Sequence, residues 1–408
     1  MIARMSDFAI RNLADGEQRS AFALLYQALH RGALTDEHWG RRSPGFLADR
    51  RYGAFAEDEL IGTAGSFGTE LAVPGGALLP TGAVDGVGVR ADHTRRGVLS
   101  ALMGEQLRDL VRRGEVLACL HASETAIYGR FGYGVASLDQ RVRITRRAAR
   151  LHQDAPAGGR VRLLAPEAAV ELIPALYRRI APSRPGMLSR PEVWWPMRFE
   201  RFRGHDGGHI AAVHTGADGD DGFVVYQVNE RHGAQPHTAD LTVHDLHAAG
   251  PEALAGLWRF LLGMDLVDEL HAYRPVDEPV AAMLTDLRAW QVTGVEDESW
   301  LRILDVPAAL AARTYQRAEP VVLEVSDALL PENSGRYRIT ADGAERLGDD
   351  TEAEVRLGVD VLAMIYLGAW APSALAATGR LQARTPEAAR RADELFGTPV
   401  KPWCGTGF

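Results

Sequence analysis

Five consecutive apolar residues, Val116 to Leu120 (VLACL), run directly into HASETAIYGRFGYG, His121 to Gly134. A stretch that apolar reads as a short strand covered on both faces, so the fold has to bury it between two layers. What precedes it narrows the choice. Gly97 to Arg112 places Leu99, Leu102, Met103, Leu107, Leu110 and Val111 on one side, the pattern of an amphipathic helix. Arg108, Arg112 and Arg113 lie near its end, where cations suit the helix dipole, and Gly114 stops it. Ahead of the helix, Ala83–Val89 is small and β-branched and reads as a strand.

Upstream, Arg19–Leu29 has helical spacing, with Phe22, Leu25, Tyr26 and Leu29 on one face. Tyr52–Ala56 and Leu60–Phe67 read as strands joined at Glu57-Asp58-Glu59, and a further strand, Thr69–Val73, turns at Pro74-Gly75-Gly76. Such a series of hairpins predicts an antiparallel sheet. Ala155-Pro-Ala-Gly-Gly159 reads as a linker. A second mixed segment follows, with a helix at Glu167–Ile180, a strand at Gly222–Val228 and a helix at Pro251–Leu262; Trp194-Trp195 read as part of its core. A third begins near Trp300, with strands Val321–Val325 and Gly335–Ile339 and helices Val359–Leu367 and Pro386–Leu395. The expected organisation is α/β (α+β) in three units, 1–152, 153–298 and 299–408.

Composition excludes several function classes. No apolar stretch is long enough to cross a bilayer, and MIARMSDFAIRNL lacks the hydrophobic core of a secretion signal; the expectation is a cytoplasmic chain without membrane contact. The two cysteines, Cys119 and Cys404, make no disulfide framework, and the 13 histidines form no zinc spacing, so no metal is expected. A net charge of −9 argues against nucleic acid and is compatible with cationic partners.

The stretch with chemical content upstream is VGVRADHTRRGVLSALM, Val87 to Met103. A strand ends at Val89, a loop carries Arg95 and Arg96, and Gly97 opens the helix. The first turn of a helix offers unpaired N–H groups and partial positive charge, and two arginines beside it would pair with phosphate oxygens. Physics alone predicts an anion site, most simply for a pyrophosphate; an ordinary exposed basic loop has the same composition. Downstream, Ser123 and His121 have no acid placed beside them, so a Ser-His-Asp hydrolase is rejected.

The strand–loop–helix–strand–Tyr order resembles the GNAT acetyltransferase fold, in which acetyl-CoA lies in a V between two splayed parallel strands. Here these would be Ala83–Val89 and Val116–Leu120. Thr94 and Leu99 depart from the family pattern, which expects Gln or Arg at the first position and Gly or Ala at the second. LHASETAIYGRFGYG, RRGVLSALM, WLRILDVPAALAAR, LEVSD and the terminal GF narrow the resemblance to the Eis (enhanced intracellular survival) acetyltransferases. It implies tandem GNAT-like domains with mixed, largely antiparallel sheets and a C-terminal sterol-carrier-protein-like domain. It also implies acetyl-CoA as cosubstrate, a small cationic amine as acceptor (aminoglycosides, some lysine side chains) and a homo-hexamer. Carried over by residue, the resemblance implies Tyr128 as general acid and the terminal carboxylate of Phe408 as base. CoA contacts would come from Val87, Gly88, Val89, Arg95, Arg96, Gly97, Val98, Leu99, Ser100, Ser123 and Glu124. The family's substrate site has an acidic residue and a tryptophan near the position of Asp36, Glu37 and Trp39, at a different spacing, and an acidic residue where Gly407 stands. A tandem acyltransferase using longer acyl-CoA and a non-catalytic ligand carrier are the alternatives.

Overall fold

The computed structural model describes residues 7–43, 48–199, 208–231, 239–348 and 350–408. Twelve strands form one continuous sheet: β1 (Ala9–Asn12), β2 (Arg51–Ala56), β3 (Glu59–Ala72), β4 (Leu78–Val89), β5 (Leu117–Leu120), β6 (Gly134–Thr145), β7 (Arg160–Leu164), β8 (Ile210–Gly216), β9 (Gly219–Glu230), β10 (Ala239–Ala248), β11 (Val267–Pro275) and β12 (Trp290–Ile303). Their spatial order is β1-β2-β3-β4-β5-β12-β6-β11-β10-β9-β8-β7. Only β4–β5 and β10–β11 run parallel; the other neighbours are antiparallel.

The position of β5 explains its composition. It is short, fully buried and flanked by β4 on one edge and β12 on the other. Strand β12, from far along the chain, pairs with both β5 and β6 and so closes the gap between them. Helix α1 (Gln18–Ala28) packs on one face of the sheet, against Phe55 of β2, and is followed by α2 (Asp36–Arg42); α3 (Val98–Arg112) packs on the opposite face, against Tyr52 and Ala54. Helix α3 buries Val98, Leu102, Met103, Leu107 and Leu110, while Glu105 on its outer side pairs with Arg108 and Arg112 at 2.9 and 3.0 Å.

One expected break is absent. Leu60–Phe67 and Thr69–Val73 belong to a single strand, β3, which passes through Gly68 without turning. Gly68 sits opposite Gly82 on β4, so the two glycines face each other within a stretch of regular pairing that runs from Ser66–Val84 to Ala72–Leu78. A lone glycine weakens a strand but does not turn it.

The last hundred residues form a second sheet: β13 (Val321–Ser326), β14 (Gly335–Thr340), β15 (Gly343–Leu347), β16 (Val355–Gly358) and β17 (Leu381–Ala383), in the order β15-β14-β13-β16-β17. This unit is pinned to the large sheet. Arg302 of β12 is fully buried and bonds both carboxylate oxygens of Asp327 at 2.8 and 2.6 Å. The Trp370 indole donates to the Val135 carbonyl of β6 at 2.9 Å. Among the described residues no helix is long and apolar enough to cross a membrane.

Candidate active site

Strands β4 and β5 pair only at Thr81–Leu117, Gly82–Ala118 and Ala83–Cys119. Beyond Ala83 they part. On its other edge β4 carries a bulge: Asp85 faces Gly65 and Gly88 faces Thr63, so Gly86 and Val87 together oppose Ala64. A bulge bends its strand and sharpens the local twist, which steers Val87–Val89 away from β5 and opens a wedge between them.

A groove of about 640 Å³ enters this wedge. Its floor is Val87, Gly88 and Val89, and one wall is the loop running from His93 to Ser100. Arg95 has φ +61 and Gly97 φ +88. No side chain caps the start of α3, so its first-turn N–H groups keep the partial positive charge of a free helix end. Arg95, Gly97, Val98, Leu99, Ser100, Ser123 and Glu124 all line the groove; Arg96 is exposed and lies outside the lining. Two cationic or ionisable contributors went unread: His93, hydrogen-bonded to Asp92 at 3.0 Å, and Arg130, which follows the tyrosine by two residues. The arginine was legible in IYGRFGYG itself. A groove with a basic loop at one end and neutral strand backbone along its floor fits a chain-like ligand with a phosphate terminus.

Tyr128 stands where the groove meets a second cavity. It ends the single-turn helix α4 (Thr125–Tyr128) and is 6% exposed. Its ring meets Tyr133 edge to face, with centroids 6.0 Å apart. Burial raises the phenol's pKa above its ordinary value; a hydrogen bond with Ser123 opposes the rise, and the Glu124 charge adds to it. The phenol is therefore protonated throughout the neutral range.

The second cavity, about 270 Å³, is walled by Phe22 and Leu25 of α1, Phe67 of β3, Val84, His121, Trp194 and Phe408. Its charged side chains are Arg31, Arg51 and Asp85. Buried Arg51 donates to both oxygens of Asp85, at 3.2 and 3.0 Å. Asp36, Glu37 and Trp39 do not line it; they sit in α2, which Thr35 caps through the His38 N–H.

Phe408 reaches this cavity because the tail is bound residue by residue. Trp403 N–H donates to Pro185 O at 2.9 Å. Cys404 and Gly405 N–H donate to the two carboxylate oxygens of Glu298, at 2.8 and 2.7 Å. Gly405 O accepts from Arg190 at 2.9 Å, Thr406 O is bonded to His121 at 2.9 Å, and Gly407 O accepts from Trp194 at 3.2 Å and Arg198 at 2.6 Å. Gly405 has φ +63, and a Cβ there would lie 2.5 Å from the Trp403 ring, so no other residue makes this turn without strain. Trp403 is 7% exposed; burying an aromatic side chain of this kind contributes roughly 1.5–3 kcal/mol. The Phe408 ring packs on Phe67, edge to face at 5.4 Å, and on His121 at 4.7 Å. Trp194 does more than pack a core: its indole helps to hold the tail.

His121 serves the tail and not Ser123: its ring nitrogens lie 2.6 Å from Glu298 O and 2.9 Å from Thr406 O. Cys119 is buried, and burial pushes its thiol up, away from the nucleophilic thiolate. Among the described residues, one trio has metal-ligand geometry, Asp240, Glu269 and His271; the Arg231 guanidinium already pairs with both carboxylates at 2.7 and 3.2 Å.

A parallel strand pair that splays over a helix start, with a buried phenol at the fork, defines an acetyltransferase of the GNAT class. Residues 9–136 match the acetyltransferase (GNAT) domain family, residues 186–303 a second acetyltransferase (GNAT) family, and residues 306–405 the sterol carrier protein domain. The chain is 37% identical over 365 residues to the N-acetyltransferase Eis of Mycobacterium bovis, covering 86% of each. It is 38% identical over 375 residues to an uncharacterized N-acetyltransferase of Streptomyces coelicolor, covering 88% of this chain and 90% of that one. The crystal structure of Eis1 from Mycobacterium abscessus superposes with a TM-score of 0.89 at 37% identity, over 98% of this chain and 100% of that one. The chain belongs to the Eis family of N-acetyltransferases, with two GNAT domains and a sterol-carrier-like domain.

Proposed function

We propose that this enzyme transfers the acetyl group of acetyl-CoA to a primary amine held in the cavity between Tyr128 and Phe408. One observation carries the reading: the last residue of the chain and the buried tyrosine of the first domain line the same cavity, at the mouth of the parted strands. The groove residues Val87–Val89 and the loop 93–100 would hold CoA, its pyrophosphate at Arg95 and the start of α3. Acetyl-CoA supplies an activated acyl group, a thioester carbonyl open to attack by a neutral amine.

The chain's own groups meet the three needs of that attack. The terminal carboxylate of Phe408 holds the amine and takes up its proton, directly or through one water. With an unperturbed pKa of roughly 3.3–3.7 it is a weak base, so orientation is the larger part of its contribution. A backbone N–H of the diverging Val87–Val89 segment faces the oxygen on which negative charge develops. As the new C–N bond forms and the C–S bond breaks, Tyr128 gives its proton to the departing sulfur; a thiol pKa of about 8.5 makes that transfer late and incomplete until the bond is nearly broken. Amines of cationic molecules, aminoglycosides and lysine side chains among them, are the acceptor class that the family resemblance supports.

Release of CoA thiol, measured across a panel of amines, tests the reaction. Tyr128→Phe is expected to lower kcat by about 100-fold or more, with the KM for acetyl-CoA unchanged within about twofold. Because the phenol must be protonated and its pKa is raised, kcat of the parent enzyme should show no Tyr128-dependent decline until the pH passes about 10. Full turnover by the phenylalanine variant would remove Tyr128 from the mechanism.

A further inference from the structure

Two side chains grip the tail from opposite edges, three residues before it ends. Glu298 stands at a bulge of β12: Asp297 faces Leu138 and Ser299 faces Ser137, and Glu298 has no partner across the ladder. The bulge frees its carboxylate from the sheet and presents it to the tail, where it accepts Cys404 and Gly405 N–H and the Ser137 hydroxyl at 2.8, 2.7 and 2.8 Å.

Arg190 comes from the other side. Its side chain is 1% exposed and lies over the Tyr177 ring at 3.9 Å and the Trp194 ring at 4.4 Å. Asp245 takes two of its hydrogen bonds, at 2.5 and 3.1 Å. Burial works against both charges, but each holds the other ionised: Arg190 is raised and Asp245 lowered from its ordinary pKa. A terminal nitrogen also lies 3.2 Å from His247 Nε2, and two contacts go to the tail, Nε to Thr406 Oγ1 at 3.1 Å and a terminal nitrogen to Gly405 O at 2.9 Å. A buried guanidinium that spends its Nε–H and a share of one terminal nitrogen on residues 405 and 406 fixes the tail by the cost of leaving those donors unmet.

Only Gly407 and Phe408 lie beyond this clamp. With consecutive Cα atoms about 3.8 Å apart, a shift at residue 405 or 406 passes almost undiminished to the terminal carboxylate. We propose that Glu298 and Arg190 are positioning residues of the transfer reaction: they act through residues 404–406 to set the Phe408 carboxylate in the acceptor cavity. The proposal rests on the functional reading above, in which that carboxylate handles the amine.

The test is a cycle between the clamp and the chain end, in the full-length enzyme. Glu298→Gln replaces one acceptor oxygen by an amide NH2 that confronts a backbone N–H. Thr406→Val removes the hydroxyl bonded by Arg190 while keeping the branched shape. Expected are a fall in kcat of about 10–100-fold for Glu298→Gln and about 3–10-fold for Thr406→Val, with the KM for acetyl-CoA unchanged. In an enzyme lacking Phe408, already slow, neither substitution should lower kcat by more than about twofold, because the group they position is gone. A merely structural role would lower kcat by the same factor in both backgrounds, and that result overturns the proposal. So does parent-like kcat in both full-length variants. If deletion of Phe408 alone leaves kcat intact, the carboxylate's role in the functional reading fails first and the clamp proposal falls with it. Should Glu298→Gln melt early, Thr406→Val decides.

Discussion

The groove proposed for the cosubstrate and the cavity proposed for the acceptor share Leu29, Val87, Ser123 and Tyr128, yet they are assembled in opposite ways. Apart from Ala28 and Leu29, the groove is made from two short stretches, 87–100 and 123–130. The acceptor cavity draws on α1, on β2 through Arg51, on β3 through Phe67, on β4, on His121 and Ser123, on Trp194 of the second domain and on residue 408. The groove is set by local backbone: a bulge, a left-handed Arg95 and a helix start. The cavity is set by how three domains dock. Damage to the groove should weaken cosubstrate binding, whereas damage to the docking of distant parts should strike turnover.

The widest separation is expected at the chain end. Adding one residue after Phe408 moves the carboxylate by about 3.8 Å and converts the original one to a neutral amide carbonyl. It should cut kcat by about 100-fold or more while acetyl-CoA binding, read by thermal shift or calorimetry, stays as in the parent. A lengthened enzyme with parent kcat would mean that the two halves do not divide the labour in this way.

The same division explains what could be read in advance. Helix α3 and strand β5 were legible because their apolar spacing is a local property, and the groove residues lie on the loop between β4 and α3 or in the Tyr128 motif. Phe408 was legible only through resemblance, since nothing in CGTGF predicts a bound chain end. Arg190 and Glu298 carried no signal at all. One is an arginine in a proline-rich turn; the other owes its direction to a register shift between β12 and β6 that two isolated strands do not reveal. Trp194 read as core and is core, but its indole N–H has a second task that depends on where residue 407 arrives. The misplaced break at Gly68 has the same origin: continuous pairing of β3 with β4, from Gly65–Asp85 to Ala72–Leu78, carries the strand through the glycine, and that partner is remote in sequence.

On the groove side the effect should be smaller and of the other kind. Arg95→Ala removes the loop cation beside the start of α3 and is expected to raise the KM for acetyl-CoA about tenfold, equivalent to about 1.4 kcal/mol, with kcat changed by less than about twofold. High salt should shrink the difference between the two enzymes, because a phosphate–guanidinium contact at an exposed loop is screened. A fall in kcat with unaltered KM would show that Arg95 reaches across into the transfer step and that the groove is not a pure binding element.

The acceptor cavity also has a charge pattern that can be sharpened. Asp85 is committed to Arg51, which leaves the terminal carboxylate, in the role proposed for it, to meet an ammonium group. Against it stands Arg31, exposed at the rim; its guanidinium lies 5.7 Å from the Tyr26 ring centroid, and among the described residues no ion pair involves it. A polycation entering past Arg31 is repelled where it would gain most from attraction. Arg31→Glu is therefore expected to lower the KM for an aminoglycoside about three- to tenfold at low ionic strength, an advantage that fades as salt is added. Its kcat should hold, since Arg31 has no part in orienting Tyr128 or the tail. The same substitution should leave the KM for acetyl-CoA alone, because Arg31 lines the acceptor cavity and not the groove. Were the aminoglycoside KM to rise instead, Arg31 would be holding the acceptor through an oxygen-rich face, and the cavity would select hydroxyls or anions ahead of positive charge.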